Sequence, residues 1–340
     1  MLFSQEDAKA ELAKRELSRR HLLDFIKYNF FGYQVNWHHK LIIEALERVE
    51  RGELKRLMIL MPPRSGKSEL CSIQFPAWFL GKHPDKEIIA ASYNADLAVE
   101  FGKKTRNLVR TKEFGNVFTG IKLSEDSSAA GKWNTNRGGS YFATGIGGGL
   151  TGRGGHVLLL DDPVRDRADA ESETVQGNMW DWYRSVARTR LNPGGAIVLI
   201  QTRWNERDLA GKILEGENSG EWEVITLPAI AVEDEKFRKE GEALWPETKV
   251  GENLYGYSLE ALRAIEADIG PYDWAALFQQ TPVDIASQEF RKSWFRPISE
   301  AEVRAMNTRK ILTVDTAISQ KSSADYTAFC HNEINKENFW

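Results

Sequence analysis

The chain has 340 residues, 41% hydrophobic and 28% charged, the balance of an ordinary folded protein, which excludes a disordered or low-complexity chain. No run approaches the about 20 apolar residues of a membrane span, the N-terminus is charged with no apolar signal core, and Cys71 and Cys330 are too few for a disulfide framework or a zinc cage, so a reducing cytoplasm fits. The net charge of −4 excludes an architectural DNA binder, which needs a large basic excess, but leaves room for a protein that grips and releases nucleic acid locally.

The length allows two domains. Residues 5–28 read as a charged helix, with Leu12, Leu17, Leu22, Leu23 and Ile26 at broadly helical spacing. A second helix is expected over about 37–51, where Leu41, Ile42, Ala45, Leu46 and Val49 fall on one side. Then short aliphatic runs at 57–61, 88–92, 157–160 and 196–200 alternate with helical stretches, each run ending in a polar or glycine-containing turn. Buried strands separated by helices predict an α/β fold with a mostly parallel sheet and helices on both faces. Ligands of such sheets bind beyond the carboxyl ends of the strands.

After the first strand comes Pro62-Pro63-Arg64-Ser65-Gly66-Lys67-Ser68, then a helical stretch over 69–80. A phosphate loop requires backbone N–H groups around anionic oxygens, a helix N-terminus behind them, a lysine for the terminal phosphates and a hydroxyl for magnesium. Gly66, Lys67 and Ser68 supply these in the required order. The usual first glycine is missing, since Met61 stands there, and an ordinary strand-to-helix turn capped by a serine is the competing reading.

The third strand, 157–160, runs straight into Asp161-Asp162. A phosphate-loop ATPase needs one carboxylate for hydrated magnesium and another to orient or deprotonate the attacking water, roles that suit Asp161 and Asp162 respectively. Two solvated aspartates before Pro163 would also start a turn, but both motifs in this order point to ATP and Mg2+. Lys103, Lys104, Arg106, Arg110 and Lys112 form a basic run that fits either a DNA grip or a solvated helix face.

The segments MPPRSGKSEL, PAWFLGKHPDKEIIAASYNADLA, GGGLTGRGGHVLLLDDPVRDRADA and IVLIQTRWNERDLAG resemble the large terminase subunit of tailed phages and prophages, over about residues 30–330. The resemblance implies a P-loop NTPase motor, in the cytoplasm of the bacterial host, that drives double-stranded DNA into a capsid. Its implied partners are the small terminase subunit and the portal protein, on which the chain forms a ring, with no membrane. Pro63, Arg64, Ser65, Gly66, Lys67 and Ser68 would form the nucleotide cradle. Lys67, Asp162 and Arg64 would act in catalysis, Arg64 on the charge of the transferring phosphoryl group or, alternatively, in a structural salt bridge. Ser68 and Asp161 would hold magnesium, and Thr202 would lie in the coupling motif. Trp37 and His38 fall where the family contacts adenine, beside His39. Adjacent histidines are expected to point in different directions, which argues against a shared metal, and a core-facing aromatic with a surface histidine is the competing arrangement. The run 145–155, dense in glycine and carrying Arg153, reads as a loop meeting DNA phosphate or as a slack connector.

The expected organisation is an N-terminal helical segment at 1–55, a motor at 56–283, a linker at 284–310 and the start of a ribonuclease-H-like nuclease at 311–340. In that nuclease Asp315 would be the first metal-binding carboxylate, and Asp325 fits without a clear role. The remaining carboxylates of a two-metal site do not follow, so nuclease activity is expected to be lost from this chain. A host helicase-like translocase is disfavoured because no second motor domain fits. The alternative is a degenerate prophage remnant that binds nucleotide without packaging DNA.

Overall fold

The structure, a computed structural model, describes residues 5–150, 152–283, 308–315 and 328–334. The chain divides into two compact units, Met1–Ile285 and Ala286–Trp340.

The first unit opens with α1 (Gln5–Arg20) and α2 (Leu22–Asn29) rather than one helix, because His21 between them is extended at φ −123°, ψ 127°. The break turns Leu22, Phe25 and Ile26 into the core, all at 0% exposure. Leu12 and Leu17 stay exposed, contrary to the helical-stripe expectation. Five residues apart on a helix, they sit roughly 140° apart and cannot share one face. Helix α3 (Trp37–Glu50) starts at a capping box in which Asn36 and His39 bond each other's backbone, and it buries Ile42, Ala45, Leu46 and Val49.

Eight strands follow in one sheet: β1 (Arg56–Leu60), β2 (Glu87–Ser92), β3 (Leu123–Ser128), β4 (Lys132–Thr135), β5 (Ser140–Gly145), β6 (Gly155–Asp161), β7 (Leu191–Gln201) and β8 (Glu223–Thr226). Their order is β3-β4-β5-β2-β6-β7-β1-β8, parallel from β5 to β8, with β3 and β4 adding an antiparallel edge. The four strands legible in the sequence are β1, β2, β6 and β7, and they are the sheet's adjacent central strands. Successive residues of β1 and β7 point to opposite faces. Leu57, Ile59, Val198 and Ile200 meet one core, under α2, α3, α4 (Phe75–Lys82) and α5 (Ala95–Val109), with α6 (Lys112–Val117) alongside. Met58, Leu60, Ile197 and Leu199 meet the other, under α7 (Arg167–Glu171), α8 (Glu173–Trp182) and α9 (Leu209–Leu214). Helices α2 and α3 thus share a core with the sheet.

Beyond β8 a smaller apolar cluster joins Ala229, Ile230, Leu262, Trp274 and Phe278. It is flanked by the hairpin β9 (Thr248–Val250) and β10 (Asn253–Tyr255) and by α10 (Leu259–Asp273), which is interrupted at Gly270 before Pro271. In the second unit, β11 (Arg309–Asp315) pairs antiparallel with β12 (Ala328–Ile334), with Asp315 opposite Ala328. Asp325 and most of the expected linker lie outside the described residues. Among the described residues no helix is long and apolar enough to cross a membrane.

Candidate active site

Strand register brings three sequence-distant segments to one end of the sheet, since Leu60 lies opposite Gln201 and Asp161 opposite both Ile200 and Ser92. Met61, where a loop glycine is usual, is fully buried and continues β1, its N–H donating to Gln201 O at 3.2 Å. The backbone turns only later, at Arg64 (φ 58°) and Gly66 (φ 86°). Gly66 is required twice over. Its φ disfavours any side chain, and an added Cβ would lie 2.8 Å from His39 Nε2.

Two histidines hold the loop from behind. His38 and His39 are both fully buried, with ring centroids 3.9 Å apart, and each Nε2 lies 3.2 Å from Ser65 O. The expectation that they diverge is therefore corrected. The helix starts so close to the loop that one carbonyl is reached from two successive positions. His39 Nδ1 accepts from Asn36 N–H at 3.1 Å, so its proton sits on Nε2 and is donated to Ser65. Burial pushes His38 down to about 3, with the His39 charge adding to it, and His39 down to about 4, so both rings are neutral. His38 Nδ1 is buried without a partner. Trp37 is half-buried and stacks on Phe237 at 5.2 Å. Trp245 packs edge-on against His39 and, with Tyr257 and Phe278, walls the loop's outer side. The cavity left there is about 10 Å³, room for a single water and not for a base. This wall went unread in the sequence, where the aromatics Trp245, Tyr255 and Tyr257 were its signal.

The helix behind the loop begins as a wide π-type turn, Glu69–Gln74, and continues as α4. Pro76 has no N–H to return to Ser72 O, and that carbonyl instead accepts from Thr105 Oγ1 of α5 at 3.1 Å. The turn also aims Ser72 Oγ at Asp161 Oδ2, 2.6 Å away, while Ser68 Oγ donates to Asp161 Oδ1 at 3.1 Å. Asp161 is 2% exposed, and burial first, then the Asp162 charge, raise its pKa to about 7, against the pull of Lys67 and the two serine hydroxyls.

Asp162 follows in a left-handed conformation, φ 43°, which swings its side chain back toward the loop. Lys67 Nζ lies 3.1 Å from Asp162 Oδ2 and donates to Thr202 Oγ1 at 2.8 Å. Thr202 N–H donates to Asp162 Oδ1 at 2.8 Å, and the Thr202 hydroxyl donates to Met61 O at 3.2 Å. Thr202 is anchored from the other side, where buried Arg203 is paired with Asp208 at 2.9 Å. Two bonded groups thus lie side by side, Lys67 with Asp162 and Thr202, and Ser68 with Asp161, with Ser72 added to the second by the structure. Arg64 stands exposed at the loop's crest, and among the described residues no carboxylate lies within ion-pairing distance of it.

The donor set suits a magnesium nucleotide. A hydroxyl and a carboxylate stand together, the protein's share of a coordination sphere that nucleotide phosphates and waters would complete. Among the described residues no group of three or more His, Cys, Asp or Glu side chains could cage a metal alone.

The basic run lies on α5, the following turn and α6. Lys103, Lys104, Arg110 and Lys112 are exposed, with Lys104 paired to Glu100, while Arg106 donates to Ser128 O at 3.0 Å. The glycine-rich run is a connection from β5 to β6. It is anchored by buried Leu150 and by Trp182 Nε1 donating to Gly148 O at 2.9 Å, and Arg153 lies over the Phe142 ring at 4.0 Å. Thr151 lies outside the described residues. Asp315 belongs to the second unit.

A family model, the N-terminal part of the terminase large subunit, T4likevirus-type, matches residues 58–262. Comparison with curated proteins finds no match. Among solved structures, the chain is similar to a mutant of the large terminase ATPase domain of Thermus phage P74-26, with 14% identity, a TM-score of 0.45, and coverage of 76% of this chain and 98% of that one.

Proposed function

The chain belongs to the terminase large subunit family, T4likevirus-type, and from that premise we propose that residues 56–283 are a magnesium-dependent motor that hydrolyses ATP to translocate double-stranded DNA into a capsid. The observation that carries this reading is the contact of Lys67 with both Asp162 and Thr202, at 3.1 and 2.8 Å, beside Ser68 on Asp161 at 3.1 Å. Residues from three separate strand ends, spaced as phosphate-loop chemistry requires, meet at one point.

In this mechanism the backbone of Pro63, Arg64, Ser65 and Gly66 encloses the phosphates, and His38 and His39 fix the loop through the Ser65 carbonyl. Trp37, at the rim, is the side chain of its segment left to meet a base. Lys67 exchanges its contacts with Asp162 and Thr202 for the terminal phosphates. That exchange frees Asp162 to orient a water and accept its proton as the new P–O bond forms and ADP departs. Ser68 and Asp161 would hold Mg2+, which neutralises charge on the phosphate oxygens. Arg64 meets the charge that spreads over the equatorial oxygens as the bond breaks.

When phosphate leaves, Lys67 returns to Thr202, and the strand end reports the change. Thr105, bonded to the Ser72 carbonyl, ties the Asp161 side of the site to α5, whose basic residues supply a DNA grip. The small terminase subunit, the portal and a ring of copies in the host cytoplasm complete the machine. In the second unit, Asp315 is proposed as the first carboxylate of a nuclease metal site.

Steady-state phosphate release from Mg·ATP, with and without linear double-stranded DNA, tests the motor reading. Hydrolysis stimulated by DNA is expected. Nucleotide binding with no hydrolysis under either condition would point instead to a remnant that only binds.

A further inference from the structure

A second cavity, of about 400 Å³, opens at the other end of β1, where Arg56 begins the strand whose far end leads into the phosphate loop. Five residues at about 3.3 Å each put roughly 17 Å between the two sites. The size falls in the range of small-molecule pockets, about 300–1,000 Å³.

The lining combines three kinds of chemistry. Trp180 and Tyr183 are stacked, with centroids 5.6 Å apart and an interplanar angle of 22°, and Trp222 contributes a further flat ring. Arg56 is 8% exposed, and Arg184 and Arg188 are exposed beside it. Arg56 Nη1 donates to the carbonyls of Lys55 and Gly195, at 2.6 and 3.4 Å, which leaves most of its donors unspoken for. Among the described residues no carboxylate is within ion-pairing distance of Arg56 or Arg188, whereas Arg184 reaches Asp181 at 3.2 Å. Glu217, Asn218 and Glu221 supply acceptors on the remaining side.

A buried guanidinium without a paired anion is unfavourable, and a second guanidinium nearby compounds it. The Arg56 pKa is accordingly lowered, by burial first and by Arg188 next, with Tyr183 and Glu221 acting in the other direction. An anion seated between Arg56 and Arg188 would offset both effects. An anion alone would not require the aromatic walls or the acidic side.

We propose that this cavity binds one nucleotide unit: its phosphate on Arg56 and Arg188, its base against Trp180 or Trp222, and its sugar or base N–H and O–H donors toward Glu217 and Glu221. The unit is either a free nucleotide or one residue of a DNA strand. The inference rests on the cavity alone and is independent of the motor reading.

Isothermal titration tests it, with Lys67→Ala protein used to weaken the phosphate loop's contribution and Lys67→Ala/Arg188→Glu for comparison. The probes are thymidine monophosphate, a 5′-phosphorylated thymidine trinucleotide and inorganic phosphate. Saturable one-to-one binding of a nucleotide probe is expected, weakened about tenfold or more by Arg188→Glu and also by Trp222→Ala. Equal affinity for the monophosphate and the trinucleotide assigns the free nucleotide. A clear preference for the trinucleotide assigns the strand. Inorganic phosphate binding as tightly as either nucleotide, or nucleotide binding unchanged by Arg188→Glu, overturns the proposal. Arg188→Glu alone should keep the parent's melting temperature, since Arg188 is exposed.

Discussion

The ammonium of Lys67 donates to the hydroxyl of Thr202 at 2.8 Å, although 135 residues separate them in sequence. The same hydroxyl reaches the carbonyl of Met61 at 3.2 Å, so Thr202 bridges the end of the first strand to Lys67. Thr202→Val keeps the shape and removes both bonds. The Thr202 backbone N–H remains on Asp162. We expect kcat to fall about tenfold or more while nucleotide affinity changes little, because about 1.4 kcal/mol of barrier is one hydrogen bond's worth. Steady-state kinetics beside a nucleotide titration will separate the two. An equal loss in both would reduce Thr202 to a structural role.

Asp161 ties function against stability. Its pKa is raised to about 7, chiefly by burial. As pH rises past the ordinary carboxylate range, the unfolded chain releases this proton first. The stability from the protonated, buried form is therefore fully present at low pH and is lost as pH rises through about 7. Asp161→Asn never carries the charge. In thermal melts without nucleotide, this variant should exceed the parent at about pH 8, with the gap narrowing as pH falls through about 7 and its pH-dependent part gone only below about pH 4, where the carboxyl is neutral in the unfolded chain as well. Its hydrolysis should be abolished. A gap that does not depend on pH would contradict the assigned cause.

Arg64 occupies a left-handed conformation at φ 58° and is exposed, with no ion pair among the described residues. Replacing it should leave stability within about 0.5 kcal/mol of the parent. If it meets charge developing on the phosphoryl group, Arg64→Ala should still lower kcat about a hundredfold or more. Arg64→Lys should recover little of that loss, because an ammonium lacks the planar fork. Melting curves and kcat measured on the same preparations will decide, and a destabilised Arg64→Ala with normal kcat would restore the salt-bridge reading.

Gly66 and His39 are matched in shape. Gly66→Ala faces an unfavourable φ of 86° and a Cβ contact of 2.8 Å with the imidazole. The backbone conformation alone costs roughly 1–2 kcal/mol. Gly66→Ala should therefore lower the melting temperature and weaken ATP binding. His39→Ala removes the clash but also a donor to Ser65, so in a double-mutant cycle the two losses should sum to more than the double variant's loss. Strict additivity would separate the two positions.

The central strands were legible because β1, β2, β6 and β7 are buried on both faces and so written in aliphatic residues. β3, reading LSEDSS, and β4, reading KWNT, form the antiparallel edge, where exposure replaces periodicity with polar residues. β8 at the other edge is short and half-exposed. Within the candidate site, Lys67, Ser68, Asp161 and Asp162 could be picked out because the chemistry proposed for them depends on local order. Ser72, Thr105 and the loop-holding part of His39 could not. Their roles come from a π-type turn, a helix start set against the loop, and a carbonyl left open by Pro76, and each depends on tertiary placement. Pro76 inside an expected helix was the one local warning.

Lys67 and the two aspartates are proposed to form a working ATPase site. Steady-state Mg·ATP hydrolysis by the parent chain and by Lys67→Ala, with double-stranded DNA present, tests this most directly. Parental turnover is expected, with a loss of about a hundredfold or more in the variant, since the lysine acts mainly on charge in the transition state. Equal turnover in the two proteins would place the hydrolysis elsewhere and contradict the proposal.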